Sequence, residues 1–542
     1  MIPVLTKEQA YKLDKEIIES GHLSKEELMD NAGKAVAQFF CEKIQNPFSK
    51  TVVVVCGKGN NGGDGVIAHS YLKKYNLSSK IVFTEENHGH SKLLKKYKIS
   101  KSEFSIYNDK IKFDKYDWII DGIFGIGFDR RLNDNYKELF EKINEKNKII
   151  SIDVNSGFPE TISSSTIENF VYDSSSDCIK SKHTVTFGYP KFSQFLSPTN
   201  SLVIKNIGFK NLKSSDINLI EKKDVLNILK TYYNKLDKNK YSSGVCIIGG
   251  SDIYTGAPVL SAKSALKSSC TYVDLFIDSN KDSLIRNIKT KNNDLIVRKI
   301  DDKYRLPKTV IYGCPVLIGP GIGSYGDIDF SAFKNTDERV ESILKENCFD
   351  GDEEDWIKNP FYYLDHKNEY VFDASLLSSI RNVSEKYNNH IFDYLPPRFI
   401  LTPHSNELRQ MFSCDAAEDT HSLSYISRIQ NELKNHRENN LGQIIILKSF
   451  NTFIITKDMI YIMGRGPSLL ATAGTGDVLS GILVSLLSQG YSRLEASILG
   501  TYLHAEAANY YMNNISKDGM TASDLIDCIP HAFNQLRKEN EL

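Results

Sequence analysis

Two successive α/β layers, each built on a mostly parallel sheet, are the fold class that this sequence predicts, and three observations lead to it. Short β-branched runs alternate with segments of helical period through both halves of the chain. The run Thr51 to Cys56 is continuously apolar, as a parallel strand covered on both faces would be. A polar stretch, Lys210 to Lys223, breaks the alternation, which then restarts at Val245. Two domains are therefore expected, at 1–215 and 222–542.

In the first, Glu8 to Ile18 and Lys25 to Phe40 read as helices, Thr51 to Cys56 as a strand and Val66 to Tyr75 as a helix. Lys80 to Phe83, Trp118 to Ile120, Ile149 to Val154, His183 to Phe187 and Ser201 to Ile207 read as further strands. The second block opens with strand Val245 to Gly249. It continues through Val310 to Ile318, Tyr370 to Asp373, Phe399 to Thr402, Ile444 to Lys448 and Phe453 to Thr456, and closes with helices from Asp477. Between Asp327 and Asn368 lies a polar insertion whose acidic run, Asp350 to Asp355, reads as a solvated loop.

Composition narrows the function. The chain has 542 residues, 41% hydrophobic and 25% charged, which suffices for two sizeable cores. Lys and Arg total 67 against 68 Asp and Glu, so there is no electrostatic footprint for nucleic acid or an acidic membrane. The nine cysteines include no C-x-x-C pair, and reduced, mostly buried thiols are expected. No signal peptide is visible, and the longest apolar stretch, near Val478 to Leu487, is too short to span a bilayer. The cytoplasm is the expected compartment.

After strand Thr51 to Cys56 comes Gly57-Lys58-Gly59-Asn60-Asn61-Gly62-Gly63-Asp64-Gly65. Gly57, Gly59 and Gly62 satisfy G-x-G-x-x-G, and Glu85 and Glu86 end the next strand, so a nicotinamide dehydrogenase competes. Two Asn and an Asp crowd this turn, however. Carboxamide and carboxylate oxygens gathered there suit a hard cation or a sugar–phosphate equally well. Two other strands end alike, in Asp121-Gly122-Ile123-Phe124-Gly125-Ile126-Gly127 and in Asp153-Val154-Asn155-Ser156-Gly157. In a parallel sheet such ends converge on one crevice, and three oxygen-bearing loops argue for a site.

These loops, above all G-N-N-G-G-D-G, resemble the NAD(P)H-hydrate epimerases, a family of Rossmann-like three-layer αβα fold. The resemblance implies that Asn60, Asn61, Gly62, Gly63 and Asp64 hold the substrate's phosphates. It implies that Gly125, Ile126, Gly127, Phe128, Asp129, Arg130 and Arg131 close over the dinucleotide, and that Asp153 is the substrate-binding acid/base. It also implies a potassium ion on Asn61, Asp121 and Ser156. Asn155 stands where the family usually has proline, which should alter the loop's rigidity.

In the second block, Gly474-Thr475-Gly476-Asp477 opens a long helix. Backbone N–H groups at a helix start point at an anion, and an Asp there can take a proton from a hydroxyl attacking a phosphate. No Walker-type G-x-x-x-x-G-K-[ST] occurs, so phosphate chemistry must rest on that helix start. With Gly249-Gly250-Ser251, Thr255 to Pro258, Gly319 to Gly323, Asp373-Ala374-Ser375 and Thr402 to Glu407, this block resembles the ADP/ATP-dependent NAD(P)H-hydrate dehydratases, a ribokinase-like α/β family. Asn239 to Ser242 and Met520 to Leu525 resemble that family's opening and closing motifs, with Asn239 replacing His.

Carried over, Ala257, Gly321, His404 and Asp477 contact the hydrated nucleotide, Asp477 as base. Lys448, Ser449, Phe450, Asn451, Thr452 and Gly476 hold the adenine nucleotide, which brings Mg2+; Ser449 stands where the family usually has Gly. A zinc site on His404 and Glu407 lacks a third ligand, and His504 reads as a packed or surface histidine. The two resemblances together imply a bifunctional repair enzyme for NADHX and NADPHX, expected as a homo-oligomer. A fused small-molecule kinase and a non-catalytic nucleotide sensor remain as alternatives. The kinase leaves the three N-terminal loops without work, and the sensor leaves both candidate acids unexplained.

Overall fold

The computed structural model describes residues 1–128, 132–146, 148–158, 178–196, 201–209, 212, 215–233, 242–277, 281–299, 314–322, 368–374, 376–377, 391–393, 395, 398–412, 423–435, 442–449, 451–464 and 466–539. Residues 2–217 form one compact unit, and residues 218–542 with Met1 form the other.

The N-terminal unit is built on strands β1 (Thr51–Cys56), β2 (Ser78–Phe83), β3 (Phe104–Ile106), β4 (Trp118–Gly122), β5 (Ile149–Ile152), β6 (His183–Phe187) and β7 (Leu202–Lys205). They lie in the order β3-β2-β1-β4-β5-β6-β7, every pair parallel. The winding reverses between β1 and β4, and a crevice opens beyond the carboxyl ends at such a reversal. Helices α1 (Lys7–Glu19), α2 (Lys25–Lys43), α3 (Asn60–Lys74) and α4 (Asp134–Asn144) accompany the sheet. The core strand β1 is fully buried from Val52 to Cys56.

One boundary differs from expectation in a way that shapes the site: α3 begins at Asn60 rather than at Val66. Glycine costs a helix about 1 kcal/mol relative to alanine, so local propensity reads Asn60 to Gly65 as a loop. Packing overrides it. A Cβ on Gly65 would lie 2.8 Å from Cys56 Sγ, one on Gly63 2.9 Å from Met29 Sδ, and one on Gly62 1.9 Å from the Gly57 carbonyl oxygen. The glycines let a helix settle onto β1 and α2 where any side chain would hold it off.

In the C-terminal unit the strands are β8 (Gly244–Gly249), β9 (Tyr272–Ile277), β10 (Ile296–Lys299), β11 (Val316–Ile318), β12 (Tyr370–Phe372), β13 (Phe399–Leu401), β14 (Ile444–Leu447), β15 (Thr452–Ile455) and β16 (Ile460–Met463). They run in the order β16-β15-β14-β13-β12-β11-β8-β9-β10. Pairing is parallel from β10 across to β14 and antiparallel at β14–β15 and β15–β16. Helices α5 (Gly256–Lys267), α6 (Ser405–Phe412), α7 (Thr475–Ser488), α8 (Arg493–Asn514) and α9 (Ala522–Glu539) pack with it. The α7 helix is buried on nearly all sides and lies hard against α5: a Cβ on Gly481 would fall 2.0 Å from Ser264 Oγ. Strands β3, β9, β10 and β16 lie outside the segments that the sequence pattern predicts. The acidic insertion at 327–367 falls outside the described residues. Among the described residues no helix is long and apolar enough to cross a membrane.

Two candidate active sites

Beyond β1, β4 and β5 lies a cavity of about 890 Å3, lined among others by Asp14, Asn60, Asn61, Asp64, Asp153 and Lys191. Its floor is the meeting of three loops. The turn after β1 lies so close to the turn after β4 that a Cβ on Gly57 would sit 2.0 Å from the Ile123 carbonyl oxygen. Gly59 precedes α3 without a side-chain cap, so the first N–H groups of α3 are left for a ligand.

Asn61, Asp121 and Ser156, which the resemblance places on one ion, come together in the structure. Asp121 is fully buried. One of its oxygens accepts from Ser156 Oγ at 2.6 Å and from the Ile123 N–H at 3.2 Å; the other accepts from Ser151 Oγ at 2.8 Å and from the Ser156 N–H at 3.1 Å. Burial still pushes this carboxyl above the usual carboxylate range, against those hydrogen bonds. Asn61 Nδ2 donates to the Phe124 carbonyl at 2.8 Å, and the Phe124 N–H donates to Ser156 Oγ at 2.8 Å. No ion pair neutralises Asp121 among the described residues.

Asp153 follows β5 with a backbone φ of 60°, in the left-handed region where a non-glycine residue is strained by about 1–2 kcal/mol. Its surroundings hold it there. The Asp153 N–H donates to the Val185 carbonyl at 2.8 Å, and Gln194 Nε2 donates to the Asp153 carbonyl. Its Oδ1 accepts from Lys191 Nζ at 2.5 Å and from Thr186 Oγ1 at 3.0 Å. Two further carboxyls face the same space. Burial first, then the charges of Asp153 and Asp14, drive Asp64 well above the carboxylate range; burial, only partly offset by Lys191, brings Asp14 to about 6. Asn155 is buried and bound on both sides of its carboxamide. It accepts from Thr184 Oγ1 at 2.6 Å and Ser181 Oγ at 3.2 Å, and donates to the Ile179 carbonyl at 2.9 Å. In place of proline's ring, three hydrogen bonds fix this loop.

Gly125, Ile126, Gly127 and Phe128 line the cavity, with Phe128 stacked on Phe124 at 4.5 Å between ring centroids. Asp129, Arg130 and Arg131 lie outside the described residues. So do Asn239 to Tyr241, Gly323, Ser375 and Phe450 in the other unit.

There the second site gathers around the start of α7. Gly474 caps that helix with φ +88° and no side-chain bond; the Thr475 N–H turns back to the Thr472 carbonyl at 3.3 Å, which leaves the Gly476 and Asp477 N–H groups without a side-chain cap. Asp477 sits in this turn, and its carbonyl accepts from Ser261 Oγ on α5 at 2.9 Å. Facing it from β12 and β14 is an ion pair. Lys448 Nζ donates to Asp373 Oδ1 at 2.7 Å, Asp373 is 1% exposed, and its other oxygen accepts from Ser480 Oγ. Burial opposes a charge on Asp373, but the Lys448 ammonium and these hydrogen bonds hold its carboxyl below the usual range. Asp477 is left outside the pair. Burial first, and the Asp373 charge next, push it up to about 7 against the pull of Lys448. Lys448 reaches Gly476 as well: a Cβ there would stand 3.4 Å from Nζ.

His404 and Lys448 are bridged in parallel across β13 and β14, and the Lys448 N–H donates to the Pro403 carbonyl at 2.8 Å. The His404 Nδ1 accepts from the Asn406 and Glu407 N–H groups at 3.1 and 3.2 Å, which caps α6 and turns the imidazole outward. Glu407 Oε1 lies 3.4 Å from His404 Nε2, but among the described residues no group of three metal-ligating side chains exists. The His504 ring bonds the Thr475 carbonyl at 2.8 Å, steadying the same turn. Gly321, with φ +72°, brings its loop against the Tyr254 carbonyl, where a Cβ would stand 2.4 Å away, just before Ala257 in α5. Asn451 is buried and Thr452 starts β15.

Sequence reasoning missed Lys191 and the pairing of Lys448 with Asp373. Asp14 was missed as well. The signal for Lys191 was slender: one lysine just after a strand that otherwise reads as core.

Comparison with known proteins agrees with both halves. Residues 245–531 match the family described as NAD(P)H-hydrate dehydratase. The chain belongs to that family. Residues 25–193 match the family described as YjeF-related protein N-terminus. A bifunctional NAD(P)H-hydrate repair enzyme of Dictyoglomus turgidum is 29% identical over 99% of both chains. One of Thermofilum pendens is 25% identical over 98% of this chain and 96% of its own. An ADP/ATP-dependent NAD(P)H-hydrate dehydratase from Bacillus subtilis, solved with ATP and Mg2+, is 19% identical and covers 60% of this chain, with a TM-score of 0.41.

Proposed function

We propose that this chain repairs hydrated nicotinamide dinucleotides, with residues 1–215 interconverting the R and S epimers of NADHX and NADPHX and residues 222–542 dehydrating the S form at the expense of ADP or ATP. The observation that carries the reading is Asp477 in the first turn of an uncapped helix, its carboxyl near neutrality and the Lys448–Asp373 pair beside it. Such a group is poised to lose and regain a proton at physiological pH.

In the C-terminal site, Asp477 takes the proton from the C6 hydroxyl as that oxygen attacks the terminal phosphoryl group of ATP or ADP, whose bridging P–O bond breaks to release ADP or AMP. The N–H groups of α7 and the Lys448 ammonium stabilise the charge on the moving phosphoryl. The phosphate ester is then eliminated: the ring nitrogen's lone pair expels phosphate from C6, C5 gives up a proton, and the dihydronicotinamide returns. Mg2+ accompanies the nucleotide and offsets its phosphate charge. Ala257, Gly321 and His404 border the hydrated nucleotide, and Ser449, Asn451, Thr452 and Gly476 border the adenine nucleotide.

At the N-terminal site, Asn60 to Asp64 present the start of α3 to the dinucleotide phosphates, and Gly125 to Phe128 cover it. Asp153 exchanges protons with the hydroxyl at C6 as it departs and returns on either face. The residues at Asn61, Asp121 and Ser156 fit a potassium ion: a buried carboxylate without a cationic partner, a carboxamide, a hydroxyl and the Phe124 carbonyl converge there. The ion would neutralise Asp121 and tie the three loops together.

The decisive experiment supplies a mixture of R and S hydrated NADH with and without ATP or ADP and follows dihydronicotinamide absorbance. Full conversion in one phase, dependent on nucleotide, supports both halves. Conversion that stops at the S fraction removes the epimerase, and no conversion removes the dehydratase. Epimerisation indifferent to replacing potassium by a larger organic cation removes the ion.

A further inference from the structure

Lys191 is 6% exposed yet lines the N-terminal cavity, and every donor position of its ammonium has a partner: Asp153 Oδ1 at 2.5 Å, Thr186 Oγ1 at 3.0 Å and the Phe187 carbonyl at 3.2 Å. Its backbone is anchored too, the N–H donating to Gln194 Oε1 at 2.9 Å, while Gln194 Nε2 reaches back to the Asp153 carbonyl. The lysine and the acid are thus locked to each other through side chain and backbone. All of the hydrogen bonds to the Asp153 carboxylate fall on Oδ1. Its Oδ2 accepts none among the described residues. A buried lysine is expensive unless paired, so each partner here holds the other in place.

We propose that Lys191 is a positioning residue for epimerisation: it clamps Oδ1 of Asp153, so that Oδ2 is the oxygen that exchanges a proton with the group at C6 of the hydrated nicotinamide. This rests on the reading of the N-terminal unit as an epimerase.

The step balances with the groups present. The C6–O bond breaks as a proton on Oδ2 of Asp153 passes to the departing hydroxyl, which leaves as water, and the ring nitrogen's lone pair fills the vacancy. Water then adds to the opposite face and returns a proton to Oδ2. The acid ends as it began, and no oxidant or co-reactant is consumed. Asp14, Asp64, Asp153 and Lys191 are among the titratable groups lining the cavity.

Epimerisation by Lys191→Gln, Lys191→Met and Lys191→Arg, measured in the full chain, tests the proposal. Misplacing a reacting group by about 1 Å costs on the order of 100-fold in rate. Gln and Met should therefore lower kcat for epimerisation about 100-fold with KM changed by less than about threefold, and Arg should keep kcat within about tenfold of wild type. Dehydration of the S epimer should be unchanged in all three. A Gln variant with wild-type kcat overturns the proposal. So does an equal loss in the Arg variant together with a lowered unfolding temperature, which would make Lys191 a purely structural support. If wild type itself fails to epimerise, the N-terminal reading falls, and this proposal falls with it.

Discussion

The two sites solve one electrostatic problem in opposite ways. Each sets a lysine among carboxylates at the ends of parallel strands, Lys191 buried and Lys448 partly exposed. In the N-terminal unit Lys191 pairs with Asp153, the acid proposed for the chemistry. In the C-terminal unit Lys448 pairs with Asp373, a neighbour, and the proposed base Asp477 is left outside the pair with its carboxyl near 7. The lysine's partner is thus the acid proposed for the chemistry in one site and a neighbour of it in the other. In the first site Asp64, Asp14 and Asp121 are carboxyls pushed upward; in the second they are Asp477 and Glu407. The same ingredients thus give one site a clamped acid beside carboxyls that burial pushes upward, and the other a base free to change its proton at neutral pH.

The largest effects should come from removing each acid. General acid–base groups contribute about 10^2–10^4-fold in rate. Asp477→Asn should lower dehydration by that factor and leave epimerisation intact. Asp153→Asn should do the reverse. In an R/S mixture with ATP, Asp153→Asn should stall after the S fraction, whereas Asp477→Asn should convert almost nothing. If one substitution silenced both reactions, the separation of the two sites would be broken.

Next comes the pair itself. Asp373→Ala removes the buried partner of the Lys448 ammonium, which is itself partly exposed, so the loss should fall below the roughly 3–5 kcal/mol of a fully buried pair. Chemical denaturation of the C-terminal unit should show that loss. Exposed pairs such as Lys12–Glu16 are worth little, and Lys12→Ala is the matched control. Equal, small effects for the two would mean that Lys448 is not held as the geometry shows.

A smaller effect is expected from Asn155→Ala in the first site. It removes the acceptor that Thr184 and Ser181 share and the donor to the Ile179 carbonyl, while the two hydroxyls keep their mutual bond at 3.0 Å, so the loss should be about 1 kcal/mol. Asn155→Pro tests whether the ring can replace these bonds: if it restores the stability that alanine loses, the two solutions are equivalent.

What was legible beforehand follows the same division. The glycine-bearing ends of β1, β4 and β5 announce themselves by composition; after β1 the cause is steric, since a Cβ on Gly57 would lie 2.0 Å from the Ile123 carbonyl oxygen and only glycine is admitted. Asp477 is legible for the same reason, as the acid in a glycine turn before an apolar helix. Lys191 and Asp373 leave no such mark. Each is one polar residue at the end of a core strand, and its meaning lies in a partner 38 or 75 positions away. Strands β3, β10 and β16 are short and lie toward the sheet edges, where alternation is weakest. The start of α3 was misplaced because tertiary packing supplied what six glycine-rich positions could not.

The mildest perturbation, a change of pH, separates the two arrangements without any mutation. Asp477 acts as base only when ionised, and its carboxyl stands at about 7 through burial first, the Asp373 charge next, and Glu407 beyond the opposing pull of Lys448. Dehydration at subsaturating substrate should therefore fall about tenfold for each unit below that value and level off above it. Lys448→Met removes the one attraction, so the same limb should move to higher pH; a limb that moves downward or stays would contradict the placement of Lys448. The sign for stability follows from the same shift. Because folding raises this carboxyl, the stability it contributes is complete below the unfolded value near 3.8 and is lost as pH rises toward about 7. Asp477→Asn cannot ionise and escapes that loss, so it should unfold at a higher temperature than wild type at pH 8 and at a similar one near pH 4. The variant that abolishes the chemistry should thus be the more robust protein at neutral pH, the outcome expected where a site keeps a carboxyl in surroundings that resist its charge. An Asp477→Asn protein less stable than wild type at pH 8 would show instead that the ionised carboxylate is supported by its surroundings, as Asp373 is by Lys448.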